Sequence, residues 1–247
     1  VPDLIVKPYD PNAYANSVLA DSPIGYWKFD QASGTAIDSS GNGRNLTYSD
    51  ISIGTPSYQQ QGLFNNAPYS VRITNKGNKW SASGIPYGNS FSIEYWFKTD
   101  GKDADGTTNL NLSSYGRLIS NSPIGGGFSA NGFYVMGMSG FNLYAGIGGP
   151  SSYTNLTTTS ASYADSTWRH LVMTASYGGA STTLNLYANG ALLLGPITRS
   201  GSVGGTASIS IGDYLGTAGT FCQVAVYNKA LSLSRIQAHY NIALDGA

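Results

Sequence analysis

Leu184-Asn185-Leu186-Tyr187-Ala188-Asn189-Gly190-Ala191-Leu192-Leu193-Leu194 is two apolar runs around an Asn-Gly pair. Asn-Gly supplies the two positive-φ residues of a type I′ turn, the turn whose twist matches that of paired strands. The segment therefore reads as a β-hairpin. Just before it, Leu171, Met173 and Ala175 alternate with Val172 and Thr174. Further upstream, Phe91, Ile93, Tyr95 and Phe97 alternate with Ser92, Glu94, Trp96 and Lys98. A period of two puts alternate side chains on opposite faces of a strand, so each run is a half-buried strand.

The same reading extends outward. Further strands are expected near 24–29, 43–48, 69–74, 116–121, 132–138, 141–147, 207–212 and 221–228, with turn clusters between them. About a dozen strands without intervening long helices argue for an antiparallel sandwich rather than a parallel α/β sheet. Both ends differ. Asp10-Pro11 looks like an N-cap followed by proline at the first helical position, and Tyr14/Val18 and Ala15/Leu19 have i,i+4 spacing, so 11–20 is expected to be a short helix. Ser232 caps a second short helix expected over 233–243. Residues 1–9 carry two prolines and read as an extended arm. No linker divides 22–247, so the organisation is an arm and helix over 1–21 and one domain over 22–247. The longest stretches without a strand pattern are 99–115, 122–131, 148–166 and 196–206.

Composition narrows the function. The chain has 247 residues, with 13 Lys plus Arg against 13 Asp plus Glu, for a formal net charge of zero. No basic excess exists to neutralise a phosphate backbone, which argues against nucleic-acid binding. No apolar run approaches the roughly 18 residues of a membrane span, and no signal-peptide pattern is read. The chain begins at Val1, so it is either processed or cut from something longer. The charged fraction is 11%, under half of the roughly 25% usual in globular domains. Hydroxyls, amides and backbone must wet the surface instead, and the 18 tyrosines and 32 glycines give it the adaptable chemistry of antibody paratopes. The single cysteine, Cys222, excludes an intrachain disulfide. In the run Phe221-Cys222-Gln223-Val224 it reads as a buried hydrophobe, with a reactive thiol as the alternative.

Five ordered motifs carry a family resemblance. Tyr26-Trp27-Lys28-Phe29-Asp30 with Asp38-Ser39-Ser40-Gly41-Asn42-Gly43 comes first, then Phe91 to Lys98. Thr167 to Thr174 with Leu186 to Gly190 follows, then Ile209-Ser210-Ile211-Gly212, then Val224 to Ser232. Together they resemble laminin-G-like domains of the concanavalin A-like lectin/glucanase superfamily, over about 22–242. The lead-in from Tyr14 to Trp27 is similar to segments preceding such domains in tailed-phage virion proteins and bacterial surface proteins. The resemblance implies an all-β, two-sheet antiparallel jelly-roll sandwich flanked by the two short helices. It leaves the activity open, because this architecture hosts lectins, glycosidases, adhesion modules and structural domains.

Enzymatic chemistry finds little support. Glycoside hydrolysis needs two carboxylates flanking the bond. The glucanase branch of the superfamily carries two glutamates and an aspartate on one strand, whereas this chain has one glutamate, Glu94. Glu94 is expected to be a solvated strand residue, paired with a cross-strand Lys or Arg. His170 and His239 are expected to be structural or solvated. No nucleophile elbow, phosphate loop or zinc spacing occurs. No catalytic residue is assigned.

Two loops raise the question of calcium, which prefers hard oxygen ligands. Asp100, Asp103 and Asp105 form a carboxylate-rich loop, read as a calcium site or a solvated turn. Asp38 and Asn42 form the other candidate, where calcium-binding relatives place a loop together with an acidic pair at the start of the last strand. Here that pair is replaced by Cys222-Gln223, and the alternative is a turn held by side-chain-to-backbone bonds. Sugar binding would use aromatic faces and amides. The candidates are Tyr115, Asn121, Asn131, Tyr134, Tyr144, Tyr153 and Asn155, read as loop residues, with Trp80 in a polar setting; the alternative for any one tyrosine is a strand residue filling a sheet face. Trp27, Trp96 and Trp168 are expected to pack.

The expected function is a non-enzymatic binding or adhesion module on a virion surface, as a decoration, fibre or tail component, or on a bacterial cell surface or otherwise extracellular. Its partners would be a carbohydrate such as a host surface glycan, neighbouring virion proteins reached through the arm, and other copies of itself. The alternatives are a purely structural capsid-decoration or assembly protein and, last, a polysaccharide hydrolase.

Overall fold

The structure is a computed structural model that describes residues 10, 12–49, 56–63, 69–73, 79–99, 115–121, 134–139, 142–148, 153–157, 163, 165–212 and 219–245. Helix α1 spans Ala13–Ala20 and α2 Leu233–Asp245. Between them run β1 (Gly25–Trp27), β2 (Thr47–Ser49), β3 (Ser57–Gln61), β4 (Tyr69–Ile73), β5 (Lys79–Tyr87), β6 (Phe91–Lys98), β7 (Tyr115–Ser120) and β8 (Tyr134–Ser139). They are followed by β9 (Asn142–Gly148), β10 (Tyr153–Thr157), β11 (Arg169–Tyr177), β12 (Ser181–Ala188), β13 (Ala191–Ser200), β14 (Gly205–Ile211) and β15 (Gly219–Tyr227).

The strands form two antiparallel sheets. One has the order β13-β12-β11-β6-β15-β4-β3 with β1 added against β15; the other has the order β10-β9-β8-β7-β14-β5-β2. This is the expected jelly-roll sandwich. The Asn189-Gly190 hairpin joins β12 to β13 with both residues at positive φ, 52° and 76°. Inner faces of the two sheets supply one core, which includes Trp27, Trp80, Phe91, Ile93, Tyr95, Met173, Ile209, Ile211 and Phe221.

The eight-stranded sheet is buried on its outer face too. There Trp96, Val172, Cys222, Ala225 and Tyr227 meet Tyr14 and Val18 of α1 and Ile236 and Ala243 of α2. This double burial explains why β6 and β15 are covered along nearly their whole length. A bulge in β15 between Cys222 and Ala225, with Gln223 in the left-handed region (φ 56°), keeps Phe221, Val224 and Val226 in the core and Cys222, Ala225 and Tyr227 under the helices. Cys222 is the buried hydrophobe expected, its thiol pushed by burial up to about 12.

Some boundaries differ from the sequence reading. Helix α1 begins with Asn12 as its cap residue; Asp10 instead accepts the Asn12 amide at 2.8 Å. Strand β10 falls in the stretch 148–166 read as structureless, and β13 and β14 take up both ends of 196–206. Strands β3 (Ser-Tyr-Gln-Gln-Gln) and β10 (Tyr-Thr-Asn-Leu-Thr) lie at sheet edges, where polar side chains are solvated and no apolar alternation is needed. At the C-terminus Ser232 caps α2 as expected, its Oγ accepting the Arg235 amide at 3.3 Å.

The facing of β14 is directly testable. Ile209→Ala removes core volume and should cost about 2–5 kcal/mol. Ser210→Ala, one residue on and facing away from the core, should cost under about 1 kcal/mol. Urea unfolding of the two variants makes the comparison, and equal losses would contradict the assigned facing.

Candidate functional site

Alternation along β14 sets the site. Ile209 and Ile211 are fully buried between the sheets, so Ser208 and Ser210 face outward. Register places Ser210 opposite Ser81 of β5 on one side and Ser120 of β7 on the other, and Ser81 opposite Thr47 of β2. Four hydroxyl residues thus line up across four strands. At a strand spacing of ~4.8 Å the row is about 14 Å long. It runs from exposed Thr47 through half-buried Ser81 to buried Ser210 and Ser120. Among the described residues the Ser120 hydroxyl has no hydrogen-bond partner, nor does that of Ser49 in β2. Buried polar groups are nearly always paired, so an orphaned hydroxyl on an outer sheet face is a place to look for a ligand atom. The row continues by register from Ser120 to Val135, Gly146 and Asn155.

This sheet also holds the aromatic candidates. Tyr115, Tyr134, Tyr144, Tyr153 and Asn155 were expected in loops; they lie instead in β7, β8, β9 and β10, four neighbouring strands. Register sets Tyr134 opposite Ile147, Tyr153 opposite Gly148 and Asn155 opposite Gly146. The side chains of Tyr115, Tyr134, Tyr153 and Asn155 lie outside the described residues. Tyr144 is only 2% exposed and presents no open ring face to a sugar. Asn121 follows β7 and is half-buried. Asn131 lies outside the described residues, as do Asp100, Asp103 and Asp105. Trp80 is a core residue rather than a polar-surface one, and its indole donates to the Gly34 carbonyl at 2.9 Å. Trp27 and Trp96 pack as expected, and Trp168 is half-buried with Lys98 Nζ 4.7 Å from its ring centre.

The Asp38 turn is organised around backbone. Its Oδ1 accepts the amides of Tyr26 (3.0 Å) and Ser40 (2.9 Å), and its Oδ2 accepts the amide of Arg44 (2.9 Å). Burial raises the Asp38 carboxyl, but the hydrogen bonds from Ser40, Tyr26 and Arg44 outweigh it and hold the group below its ordinary range. Asn42 turns its amide nitrogen to the Pro23 carbonyl (3.1 Å) and to Ser40 Oγ (2.9 Å). No second carboxylate joins them: at the expected acidic position Cys222 is buried, and Gln223 accepts the Tyr26 hydroxyl. The donor set here suits a tight turn and does not fit calcium, which takes six to eight oxygen ligands. Among the described residues no three His, Cys, Asp or Glu side chains are grouped to hold a metal.

Glu94 departs furthest from expectation. It is not solvated and has no Lys or Arg across the strand. It is fully buried on the outer face of the eight-stranded sheet, beneath the two helices. Its carboxylate accepts from Tyr14 Oη (2.8 Å), Tyr227 Oη (2.7 Å) and His170 Nε2 (2.7 Å), and lies 3.0 Å from His239 Nδ1. Burial alone would raise its carboxyl; the charge of His239 and hydrogen bonds from both histidines outweigh that and hold it well below the usual range. Both histidines are buried.

A model of the concanavalin A-like lectin/glucanases superfamily matches residues 72–237, about two thirds of the chain. The chain belongs to this superfamily. The opening motif at Tyr26 to Gly43 lies outside the matched span, yet β1 pairs with β15 and is part of the sandwich. Comparison with curated protein sequences gives no match. Among solved structures, the chain is similar to the binding domain of Paraclostridial Mosquitocidal Protein 1 (TM-score 0.64, 16% identity), covering 90% of this chain and 52% of that one. It is similar to the botulinum neurotoxin serotype D binding domain (TM-score 0.64, 16% identity, 93% and 52% covered). The same neurotoxin's ligand binding domain in complex with N-acetylneuraminic acid also matches (TM-score 0.58, 15% identity, 93% and 52% covered). The chain spans about half the length of these neighbours, and at such identities the likeness is one of fold.

The Asp38 turn yields a pH prediction. The lowered carboxyl contributes stability that is present above the ordinary carboxylate range, roughly pH 4, and is lost as pH falls through the lowered value. Asp38→Ala orphans three amides and should cost about 1–3 kcal/mol at neutral pH. The variant should also lose less stability on acidification than the parent, measured by urea unfolding at pH 7 and in acid. A parallel acid loss in both proteins would show that the turn contributes nothing.

Proposed function

We propose that this protein is a non-enzymatic, surface-displayed binding module that holds a carbohydrate against the outer face of the seven-stranded sheet. The observation that carries the reading is the hydroxyl row Thr47, Ser81, Ser210 and Ser120, ending in a buried hydroxyl with no partner. The open end of the row, exposed Thr47 and half-buried Ser81, offers donors and acceptors at the strand spacing to a hydroxylated ring. Membership of the lectin/glucanase superfamily supports the ligand class. So does the structural neighbour in complex with N-acetylneuraminic acid, a sugar. The non-enzymatic reading is supported by Glu94, the single glutamate, which is engaged under the helices on the other sheet. Display on a virion, as a decoration, fibre or tail component, rests on the resemblance of the segment from Tyr14 to Trp27. The ligand would then be a host surface glycan. A bacterial cell surface is the alternative setting.

The test is binding of the protein to a broad glycan panel, with calcium and again with chelator. Saturable, selective binding is expected. Ser81→Ala removes a half-buried hydroxyl of the row, so melting temperature should change little while affinity falls about 3- to 10-fold, the worth of one hydrogen bond. Loss of binding on chelation would assign calcium to the carboxylates of Asp100, Asp103 and Asp105. No binding to any glycan at high protein concentration would overturn the reading in favour of an assembly role.

A further inference from the structure

We propose that the protonated ring of His239 is the pin of a latch that fastens α1 to the sandwich and releases it when rising pH removes one proton. The inference rests on what surrounds each ring nitrogen. His239 Nδ1 lies 3.0 Å from both carboxylate oxygens of Glu94 on β6. His239 Nε2 lies 3.1 Å from Asp21 Oδ2 and 3.2 Å from the Ser17 carbonyl, at the end of α1. Both nitrogens face acceptors, so both carry protons and the ring is a cation between two carboxylates. Arg235 also approaches Nε2, at 3.3 Å, but the two protons of its Nη2 have acceptors in the Ser17 carbonyl at 3.2 Å and Ser17 Oγ at 3.3 Å, and its Nε donates to Asp21 at 2.7 Å. His170 provides the contrast. Its Nε2 meets Glu94, while its Nδ1 is buried with no partner, so one proton serves that ring.

The other groups around the pin do not compete for the titration. Tyr14 of α1, Tyr26 of β1 and Tyr227 of β15 are raised well above 10, first by burial and then by the Glu94 charge, and remain neutral donors. Cys222 of β15 is pushed by burial to about 12. Lys229, before α2, sits 3.5 Å from Asp21 on the α1 side. Tyr240 of α2 and Trp96 of β6 stack with His170. Burial works against the His239 cation, but Glu94, by charge and hydrogen bond, and then Asp21 outweigh it and raise the ring above 6.5. The sign follows. A raised histidine contributes stability that is fully present below its unfolded value and is lost as pH rises through its folded value. The latch is therefore closed in mild acid and opens on the alkaline side of 6.5.

Helix α1 is suited to release. It has eight residues, too few to be stable alone, and its buried contacts are Tyr14 and Val18. Ser22, just after it, lies in the left-handed region (φ 54°). Tyr14 Oη accepts the Trp96 indole N–H at 3.0 Å, so release opens the covered face of β6 to a partner or to solvent.

Two measurements on the intact protein decide the matter. Imidazole nitrogen shifts at pH 6 should show both His239 nitrogens protonated. Hydrogen exchange, corrected for intrinsic rates, should show the protection of α1 relative to β6 falling by up to tenfold per pH unit from about 6.5 to the raised His239 midpoint and levelling off above it, as loss of one proton requires. Asp21→Asn, which leaves Glu94 in place, should lower the pH of release. A bare nitrogen on His239 at pH 6, a flat α1:β6 ratio through the His239 titration, or an unmoved release pH in Asp21→Asn would each overturn the latch. None of these readings involves a glycan.

Discussion

A single carboxylate with no access to water governs one side of this protein. An isolated charge buried in protein costs several kcal/mol, and removing a partner from such a group leaves that cost uncovered. Glu94 is tolerated because two tyrosine hydroxyls and two imidazoles converge on it from four separate elements: α1, β11, β15 and α2. Those elements are distant in sequence, so the carboxylate ties the two ends of the chain to the middle. The apolar cluster around it, with Trp96, Val172, Ile236 and Val18, supplies the area term, and Glu94 supplies the geometry. The helices must sit where their donors reach the carboxylate.

The division of labour between the sheets follows. With α1 and α2 on the outer face of one sheet, that face becomes a second core, and β6 and β15 are buried on both sides. Among the described residues, the outer face of the other sheet carries no helix. Its positions include Thr47, Ser81, Ser210 and Ser120 by register, with Lys79 beside Ser81 and opposite Ser49. Burial grades along that row from exposed Thr47 to buried Ser120, so hydroxyl groups at the strand spacing reach solvent at the β2–β5 end.

The fold was legible in the sequence because its strongest signals are local. Alternation in Phe91 to Lys98, the Asn189-Gly190 turn and the Ser232 cap each report a dihedral or facing that needs no partner to be read. The site was much less so. Ser120, Ser210, Ser81 and Thr47 are ordinary surface-type residues, and only the register of four strands brings them together. The alternation of Ser and Ile in Ala207 to Gly212 showed which residues faced out but not which strands lay alongside. Tyr144 lies in 141–147, a stretch read as a strand, and its burial depends on what packs against that strand, which the local pattern does not report. Glu94 was misjudged because alternation gave its facing correctly and exposure was then assumed. An outward-facing residue is solvated only if nothing packs on that face, and both covering helices lie at the ends of the sequence.

The position of Glu94 also bears on why a superfamily containing glucanases accommodates a chain with this chemistry. Retaining hydrolysis requires two carboxyl groups about 5 Å apart across the bond, one of them free to protonate and deprotonate. Packed sheets lie about 10 Å apart, so a carboxylate on the far face of the eight-stranded sheet is separated from the open face of the other by the whole sandwich. Its four donors hold it ionised, and the helices exclude polymer from it. Here the single glutamate fastens both helices to the sheet. Committed to that role, Glu94 cannot be exposed without unmaking the second core, so the helices and the face they cover stand or fall with one carboxylate.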